Sequence, residues 1–361
     1  MADETAKELL NVENPVQVID GLEPGKIPQE ILSTCKPVVL KGLVSHWQLV
    51  NEGKRSPGAA VDYLTSYYNG KPCLVNFGRG TVDGRYFYDE DLRSLNYDTL
   101  RSPIDEVLQC ILDTLDGPAA GKNTEGEAYT SFYISSTSVD GHFPGLRAEN
   151  DLAIPRIDRG YPVSPAQMKI WIGNPSVASC HYDALDNIAC CVAGRRRFTI
   201  FPPDQFENLY FGPLDLTPGG QAISMVDFAN PDFERFPGFR DALAAGQVVE
   251  LEPGDAIYIP SMWMHHVEGL SPFNILVNYW WDDAPLHTGS GMNALYHGIL
   301  SLRDKPEHEK EGWRQLFEYY VFGPGDRAGK HLPEHARGVL GELDNIGARQ
   351  LRAMLINKLN R

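Results

Sequence analysis

Two histidines and one aspartate have the residue types and the spacing to hold a redox-active metal ion. His181 and Asp183 are separated by one residue, so on a β-strand both side chains project from the same face. His265 lies 84 residues downstream (265 minus 181) and supplies a third ligand if the fold brings it close. Two imidazoles and one carboxylate suit Fe(II) and leave coordination positions free for co-substrate and dioxygen. The set contains no thiolate, which argues against a structural zinc site.

A histidine followed two positions later by an acidic residue is weak evidence on its own. The chain contains 10 histidines and 48 acidic residues among 361, so about one such pair is expected by chance. His266 and Glu268 have the same spacing and remain an alternative ligand pair. His265 lies in a segment predicted to be a strand, which a turn at 252–255 precedes.

The segments around the first pair have the composition of β-strands. Residues 168–174 are β-branched and aromatic and end in Gly-Asn, which predicts a strand that runs into a loop. Residues 188–193 form a continuous apolar run, typical of a strand buried on both faces. A further strand is predicted over 195–201, where two prolines follow. We therefore predict that His181 and Asp183 enter an antiparallel hairpin.

One arginine in this region is predicted to point inward. Alternation places Arg196 on the same strand face as Phe198 and Ile200, and places Arg195 and Arg197 on the other face, where a solvated position is expected. If the apolar pair faces a barrel interior, the Arg196 guanidinium does so as well. A buried guanidinium needs a carboxylate to offset its desolvation, and a bound dicarboxylate could supply it.

Several segments together resemble the cupin-like jumonji-C oxygenases. The resemblance rests on residues 181–206, 226–237, 254–268 and 277–280, and it extends over about 37–281. Within that family, the chain most resembles the asparaginyl hydroxylase that inhibits hypoxia-inducible factor. The resemblance implies a mainly β fold with α additions, in which a double-stranded β-helix of the cupin or jelly-roll type forms the core and helices pack outside it.

The resemblance also implies the cofactors and the reaction. Fe(II) is held by His181, Asp183 and His265, because family members use the first histidine of Trp-x-His-His-Val. The co-substrates are 2-oxoglutarate, which chelates the metal, and O2. The implied reaction hydroxylates a protein side chain or a small amino-acid-like substrate, with release of succinate and CO2. Oxidation of an N-methyl group instead leads to demethylation, and the sequence does not separate the two outcomes.

Further residues match family positions that bind 2-oxoglutarate. Arg196 matches the cation that anchors the distal carboxylate, where the family more often has lysine. Arginine can make a bidentate contact there. Tyr133 matches a tyrosine that reaches the same carboxylate, and Asn187 and Asn278 match residues near the metal-bound end.

Two departures from the asparaginyl hydroxylase concern the co-substrate and the substrate. Ala178 stands where that enzyme has a threonine, so a hydroxyl to 2-oxoglutarate is missing unless Ser179 or Ser176 replaces it. Leu185 stands where that enzyme has a substrate-contacting glutamine, which argues against an asparaginyl substrate.

Composition bounds the partners and the compartment. The formal net charge is −16, which disfavours nucleic acid as a partner. The start of the chain lacks signal-peptide character, and no stretch resembles a membrane span, so a cytoplasmic protein with no membrane contact is expected. Six cysteines without a Cys-x-x-Cys pair indicate reduced, mostly buried thiols, with Cys190 and Cys191 on opposite strand faces.

Periodicity divides the chain into a lead-in over 1–30, a catalytic domain over 31–285 and a C-terminal helical region over 286–361. Helices are predicted in that last region at 293–303, 310–322 and 338–359. The final helix carries an apolar stripe that must pack on its own domain or on a second copy. Because the resembling hydroxylase dimerises through C-terminal helices, we predict a homodimer.

An insertion over 206–239 separates the two ligand-bearing segments. Long loops in compact domains are often functional, so it either borders the substrate entrance or forms a packed structural excursion. Two other functions also stay open. One is a metal-dependent cupin of different chemistry, such as a 2-oxoglutarate-independent dioxygenase or an isomerase, which needs no dicarboxylate clamp. The other is a binding module without catalysis, which the filled ligand positions disfavour.

Overall fold

The computed structural model describes residues 12, 14–80, 82, 84–116, 129–156 and 158–360. The strands of this part of the chain are β1 (Asn14–Pro15), β2 (Gln17–Ile19), β3 (Val38–Leu40), β4 (Cys73–Arg79), β5 (Tyr97–Ser102), β6 (Tyr129–Ser138), β7 (Gln167–Gly173), β8 (Ser176–Tyr182), β9 (Asp186–Ala193), β10 (Arg196–Phe201), β11 (Gln247–Leu251), β12 (Ala256–Ile259), β13 (Met264–Gly269) and β14 (Asn274–Trp281). Its α-helices are α1 (Gln29–Ser33), α2 (Gln48–Arg55), α3 (Pro57–Tyr67), α4 (Ile104–Asp116), α5 (Val139–His142), α6 (Phe239–Ala245), α7 (Gly291–Leu302), α8 (Glu307–Phe317) and α9 (Asn345–Leu359).

The described strands form two sheets. The small sheet has the order β1-β11-β10-β13-β8, and the large sheet has the order β2-β3-β12-β9-β14-β7-β6-β4-β5. From β7 to β14 the chain alternates between the two sheets, except that β10 and β11 are antiparallel neighbours in the small sheet. Such alternation builds a jelly-roll core and confirms the predicted double-stranded β-helix with helical additions.

The predicted hairpin at His181 is wrong. Strand β8 pairs with β13 in the small sheet, whereas β9 pairs with β12 and β14 in the large sheet. The residues after β8 therefore carry the chain from one sheet to the other. Side chains alternate in the same way along a hairpin strand and along a strand that crosses between sheets, so the pattern does not distinguish them. The turn at 252–255 also precedes β12, not the strand of His265.

Apolar side chains from both sheets fill the space between them. Strands β9 and β10 contribute Ala189, Cys191, Phe198 and Ile200 to this interior. Cys190, from the opposite face of β9, instead packs in the cluster between the large sheet and helices α1 to α4, as predicted. Four of the six thiols are buried, and none of the six cysteines is in a disulfide. The outer face of the small sheet is covered by the insertion, in a cluster rich in phenylalanine.

The chain divides into two compact units. The first contains both sheets and comprises the chain before 158 together with 165–282, and the second comprises 158–164 and the chain from 283 onward. Part of the predicted lead-in forms β1 and β2, which pair with β11 and β3. Residues 1–11 and 13 lie outside the described residues.

The last predicted helix begins later than its periodicity indicated. A single 3-10 turn over Gly338–Leu340 ends at Gly341, and α9 begins after Asp344, whose carboxylate accepts from the Gly347 backbone at 2.7 Å. This N-cap satisfies a free backbone donor and defines the start of the helix. No helix among the described residues has the length and apolar character needed to cross a bilayer.

Candidate metal centre

Strands β8 and β13 bring the three predicted ligands together. His181 and His265 are direct partners across this antiparallel pair, with ring centroids 4.4 Å apart. Asp183 directly follows β8, and its Oδ2 lies 3.6 Å from His265 Nε2. One ligand atom from each residue lies within 4.8 Å of the others, which matches the spacing of groups around one metal ion. Among the described residues, no other group of His, Cys, Asp and Glu has this geometry.

Backbone carbonyls orient both imidazoles. His181 Nδ1 lies 2.9 Å from the Ser179 carbonyl, and His265 Nδ1 lies 3.1 Å from the Trp263 carbonyl. Because a carbonyl only accepts, each Nδ1 carries the proton and each Nε2 presents its lone pair to the shared space. Burial lowers the pKa of His265 to about 4, and the neighbouring His181 acts in the same direction while Asp183 opposes it. His265 is therefore neutral at pH 7, the state that binds a metal.

Two side-chain donors hold the Asp183 carboxylate. Trp280 Nε1 donates to Oδ2 at 3.1 Å, and Gln221 Nε2 donates to Oδ1 at 3.3 Å. The Asp183 backbone carbonyl also accepts from the Met262 N–H at 2.8 Å, which ties the ends of β8 and β13 together. Met262 has φ +68°, a left-handed conformation that costs energy for a residue with a side chain. The carboxylate is thus placed by contacts from three separate segments.

The alternative pair, His266 and Glu268, is wrong. The His266 ring points to the outer face of β13 and stacks on Phe228, with centroids 4.2 Å apart. Burial lowers its pKa to about 3, and the positive charge of Arg85 adds to this. Glu268 instead forms an ion pair with Arg197 at 3.5 Å. Alternation along β13 alone places these side chains away from the ligand face.

Arg196 lies in the interior, as its parity predicts. It is 2% exposed, and its Nε and Nη2 have no hydrogen-bond partner in the described part of the chain. Arg195 and Arg197 lie on the outer face, where both pair with Glu250. Burial raises the pKa of Tyr133, and the Arg196 cation beside it acts in the opposite direction. The Arg196 guanidinium and the Tyr133 phenol therefore lie next to each other.

Buried donors without a partner among the described residues fit the predicted binding of a dicarboxylate. Buried N–H and O–H groups are nearly always paired, so exceptions require an explanation. Arg196 contributes two such nitrogens, and Ser179 contributes a buried hydroxyl with no partner. A carboxylate bound beside Tyr133 would satisfy the guanidinium and repay its desolvation.

The two predicted asparagines also face the interior and contact each other. Asn278 Nδ2 donates to Asn187 Oδ1 at 3.1 Å, and Trp171 Nε1 donates to Asn278 Oδ1 at 2.7 Å. Trp171 is tilted against Tyr133, with centroids 6.1 Å apart. The asparagines are thus linked through this indole to the tyrosine beside Arg196. Their contact with 2-oxoglutarate stays a prediction.

A cavity of about 250 Å³ opens onto His181 and Asp183, two of the three predicted metal ligands. Its walls include Tyr133 and Ser179 from the predicted set, and Trp280, for which the sequence favours a core or pocket-wall position. They also include three aromatic residues that the sequence did not single out, namely Tyr86, Tyr97 and Trp171. Ser135 and Ser136 line it from a β-bulge in β6, where Ser136 has φ +45°. Bulges next to functional sites commonly re-aim side chains.

The insertion forms part of this cavity. Pro218, Gly219, Gln221 and Ile223 line it, so the insertion borders the space next to the metal ligands. Its remaining part packs on the small sheet, and a role of the insertion at the substrate entrance stays a prediction.

Comparison with known proteins places the chain in a family. A family model described as a cupin-like domain matches residues 24–287. HSPB1-associated protein 1 of Homo sapiens is 33% identical over 271 residues, which cover 73% of this chain and 51% of that protein. tRNA wybutosine-synthesizing protein 5 of Gallus gallus is 32% identical over 279 residues, which cover 75% of this chain and 78% of that protein.

A third relative, lysine-specific demethylase JMJ31 of Arabidopsis thaliana, is 24% identical over 261 residues, which cover 68% of this chain and 46% of that protein. The chain spans about half the length of this relative and of HSPB1-associated protein 1. None of the three is named as an asparaginyl hydroxylase, so closeness to that enzyme stays a prediction. The extent of the family match, the jelly-roll topology and the His-Asp-His cluster agree, and the chain belongs to the cupin-like domain family.

Proposed function

We propose that this protein is an Fe(II)- and 2-oxoglutarate-dependent oxygenase that hydroxylates its substrate and releases succinate and CO2. The observation that carries the proposal is the pairing of two features in one interior. Three ligand groups converge within 4.8 Å of one another, and a buried arginine, with two nitrogens that have no partner among the described residues, lies next to the cavity-lining Tyr133. A metal-dependent cupin that uses no dicarboxylate has no need of that arginine, which makes such chemistry the weaker alternative.

In the proposed mechanism, Fe(II) bound by His181, Asp183 and His265 supplies the activation of dioxygen, while the protein supplies placement. Arg196 and Tyr133 bind the distal carboxylate of 2-oxoglutarate and fix its direction along the interior. The aromatic walls exclude water from the cavity, which strengthens electrostatic contacts there and limits side reactions. The Nδ1–H bonds of the two histidines keep both rings in the metal-binding tautomer.

The cavity bounds the class of substrate. Its volume of about 250 Å³ accommodates one side chain or a small amino-acid-like molecule between aromatic walls. Apart from the proposed metal ligands His181 and Asp183, the described lining residues of the cavity are uncharged, so a neutral substrate group is favoured. The net charge of −16 opposes binding of a polyanion such as the tRNA in one relative's name. A protein side chain or a free amino-acid-like molecule is therefore the proposed substrate.

An anaerobic titration tests the metal and co-substrate together. Adding Fe(II) and then 2-oxoglutarate to the metal-free protein is expected to produce a visible metal-to-ligand charge-transfer band, and admission of air is expected to produce succinate. Asp183→Ala should abolish the band, whereas His266→Gln, at the adjacent non-ligand histidine, should retain it. Absence of the band in the unaltered protein, with Fe(II) present, refutes the proposed function.

We also propose that the C-terminal helices form a homodimer. Within the second unit, large apolar side chains are exposed on each of the helices α7, α8 and α9, among them Leu300, Leu316, Ile346 and Ile356. Exposed apolar surface on this scale marks an interaction site. A second copy of the chain is the partner that the resemblance implies.

A further inference from the structure

Gln221, in the insertion, forms a side-chain hydrogen bond with a predicted metal ligand. Its Nε2 donates to Oδ1 of Asp183 at 3.3 Å, and the residue also lines the cavity. The other carboxylate oxygen, Oδ2, lies 3.6 Å from His265 Nε2 and so belongs to the metal-facing side. Gln221 therefore contacts the oxygen that is further from the ligand histidine, and it leaves Oδ2 to the metal and to Trp280.

Contacts with the remainder of the first unit fix the turn that carries Gln221. Tyr88 Oη donates to the Leu216 carbonyl at 3.0 Å, and Tyr97 Oη donates to the Pro218 carbonyl at 3.3 Å. On the far side of Gln221, the Ser224 N–H donates to the Cys180 carbonyl at 2.7 Å. One end of the turn is thus anchored to β8, which carries His181, and the other end is anchored to Tyr88 and to the cavity-lining Tyr97.

The turn itself is built to bring the amide close. Gly220 has φ +93°, a conformation that favours glycine, and its N–H donates to Thr217 Oγ1 at 2.9 Å. The placement of the Gln221 amide therefore follows from an ordered turn.

We propose that Gln221 is a positioning residue, which holds the Asp183 carboxylate in its metal-binding orientation and so couples the insertion to the metal centre. This inference rests on the proposed function, because it assigns a role toward the same metal. Partners that hydrogen-bond to ligating carboxylates orient them, and their loss typically costs about 10–100-fold in metal affinity or activity. The Gln221 amide orients the Asp183 carboxylate without binding the metal itself. A displacement of the turn would therefore move Asp183 as well.

The test measures metal affinity, which does not require turnover. Co(II) is titrated anaerobically into the metal-free full chain, and its absorption band is followed. The unaltered protein is compared with Gln221→Met, which keeps the side-chain length and removes the hydrogen-bond donor. Gln109→Met is the matched control, since Gln109 Nε2 donates to Asp113 at 2.8 Å on the exposed face of α4, away from the site. We expect Gln221→Met to weaken Co(II) binding about 10-fold or more and Gln109→Met to leave it unchanged.

A double-mutant cycle tests the coupling. Tyr88 does not line the cavity, so Tyr88→Phe loosens the turn without touching the metal site. Tyr88→Phe should weaken Co(II) binding when Gln221 is present. The same substitution should have no effect on Co(II) affinity in the Gln221→Met background. Equal Co(II) affinity of Gln221→Met and the unaltered chain, or additive effects in the cycle, overturns this inference alone. Failure of the unaltered chain to bind Co(II) overturns the proposed metal centre as well.

Discussion

Replacing Arg196 with methionine is predicted to have opposite effects on fold stability and on co-substrate binding. Methionine keeps the apolar stem of the side chain and removes a buried cation whose Nε and Nη2 have no partner. Each buried unsatisfied donor costs about 1–3 kcal/mol, so two of them cost about 2 kcal/mol or more in the metal-free protein. The Arg196→Met variant should therefore unfold at a higher temperature than the unaltered chain when no ligand is present.

Binding of 2-oxoglutarate should change in the other direction. Removing one partner of a buried charge pair costs about 2–5 kcal/mol, because the remaining charge is left buried and unpaired. At about 1.4 kcal/mol for each tenfold change, the Kd for 2-oxoglutarate should rise about 30-fold or more. Arg196→Lys keeps the charge and should lie between the two proteins.

Two measurements check this prediction. Thermal unfolding of the metal-free proteins gives the stability change, and calorimetric titration of 2-oxoglutarate into the Mn(II)-loaded proteins gives the affinity change. Arg195→Met is the control, since its guanidinium is exposed and pairs with Glu250 at 3.2 Å. A variant that is less stable without ligand and binds 2-oxoglutarate within about 3-fold of the unaltered chain would show that Arg196 has a structural role.

Three further predictions concern the buried histidine, the insertion and the C-terminal unit. The pKa of His266 is about 3 in the folded state and 6.5 in the reference state, so below pH 6.5 the unfolded chain takes up a proton that the folded chain does not. The free energy of unfolding therefore falls on acidification below pH 6.5. Unfolding of the metal-free protein in urea should show a loss of about 2 kcal/mol from this group between pH 7 and pH 5, and His266→Gln should lack that part of the pH dependence. Deletion of residues 214–219 should abolish coupled substrate turnover while 2-oxoglutarate still binds, and unchanged turnover would contradict a role at the entrance. Truncation before residue 338 should halve the mass measured by light scattering, and Ile356→Glu should do the same while the fold stays intact. A monomeric unaltered chain would contradict the dimer.

Much of the site follows from residue spacing because strand alternation is a local property. The positions of His181 and Asp183 on one face, and of Arg196 beside Phe198, need only the period of two along a strand. The exclusion of His266 follows from the same period once His265 is a ligand. The match to a family supplied Tyr133, whose place beside Arg196 no local pattern predicts.

Other features depend on how distant segments meet. The predicted hairpin is wrong because strand pairing between two sheets is a long-range choice that the apolar pattern of β8 and β9 leaves open. Gln221 was missed because its contact with Asp183 exists only when the insertion folds back over the small sheet. A glycine pair before a polar residue was the available signal, and it is too common to single out a site. The late start of α9 reflects the cap at Asp344, which competes with the periodic pattern before it.

The pairing of His181 with His265 across β8 and β13 has a consequence for how the proposed metal ion would be acquired. These strands are neighbours in space and distant in sequence, so no short fragment of the chain contains the complete coordination set. Contacts between remote segments form slowly, because chain entropy must be lost before they are made. Loading of the proposed iron is therefore expected to follow the closure of both sheets during folding, and proteolytic fragments cut between the two strands should be unable to retain an ion at this site.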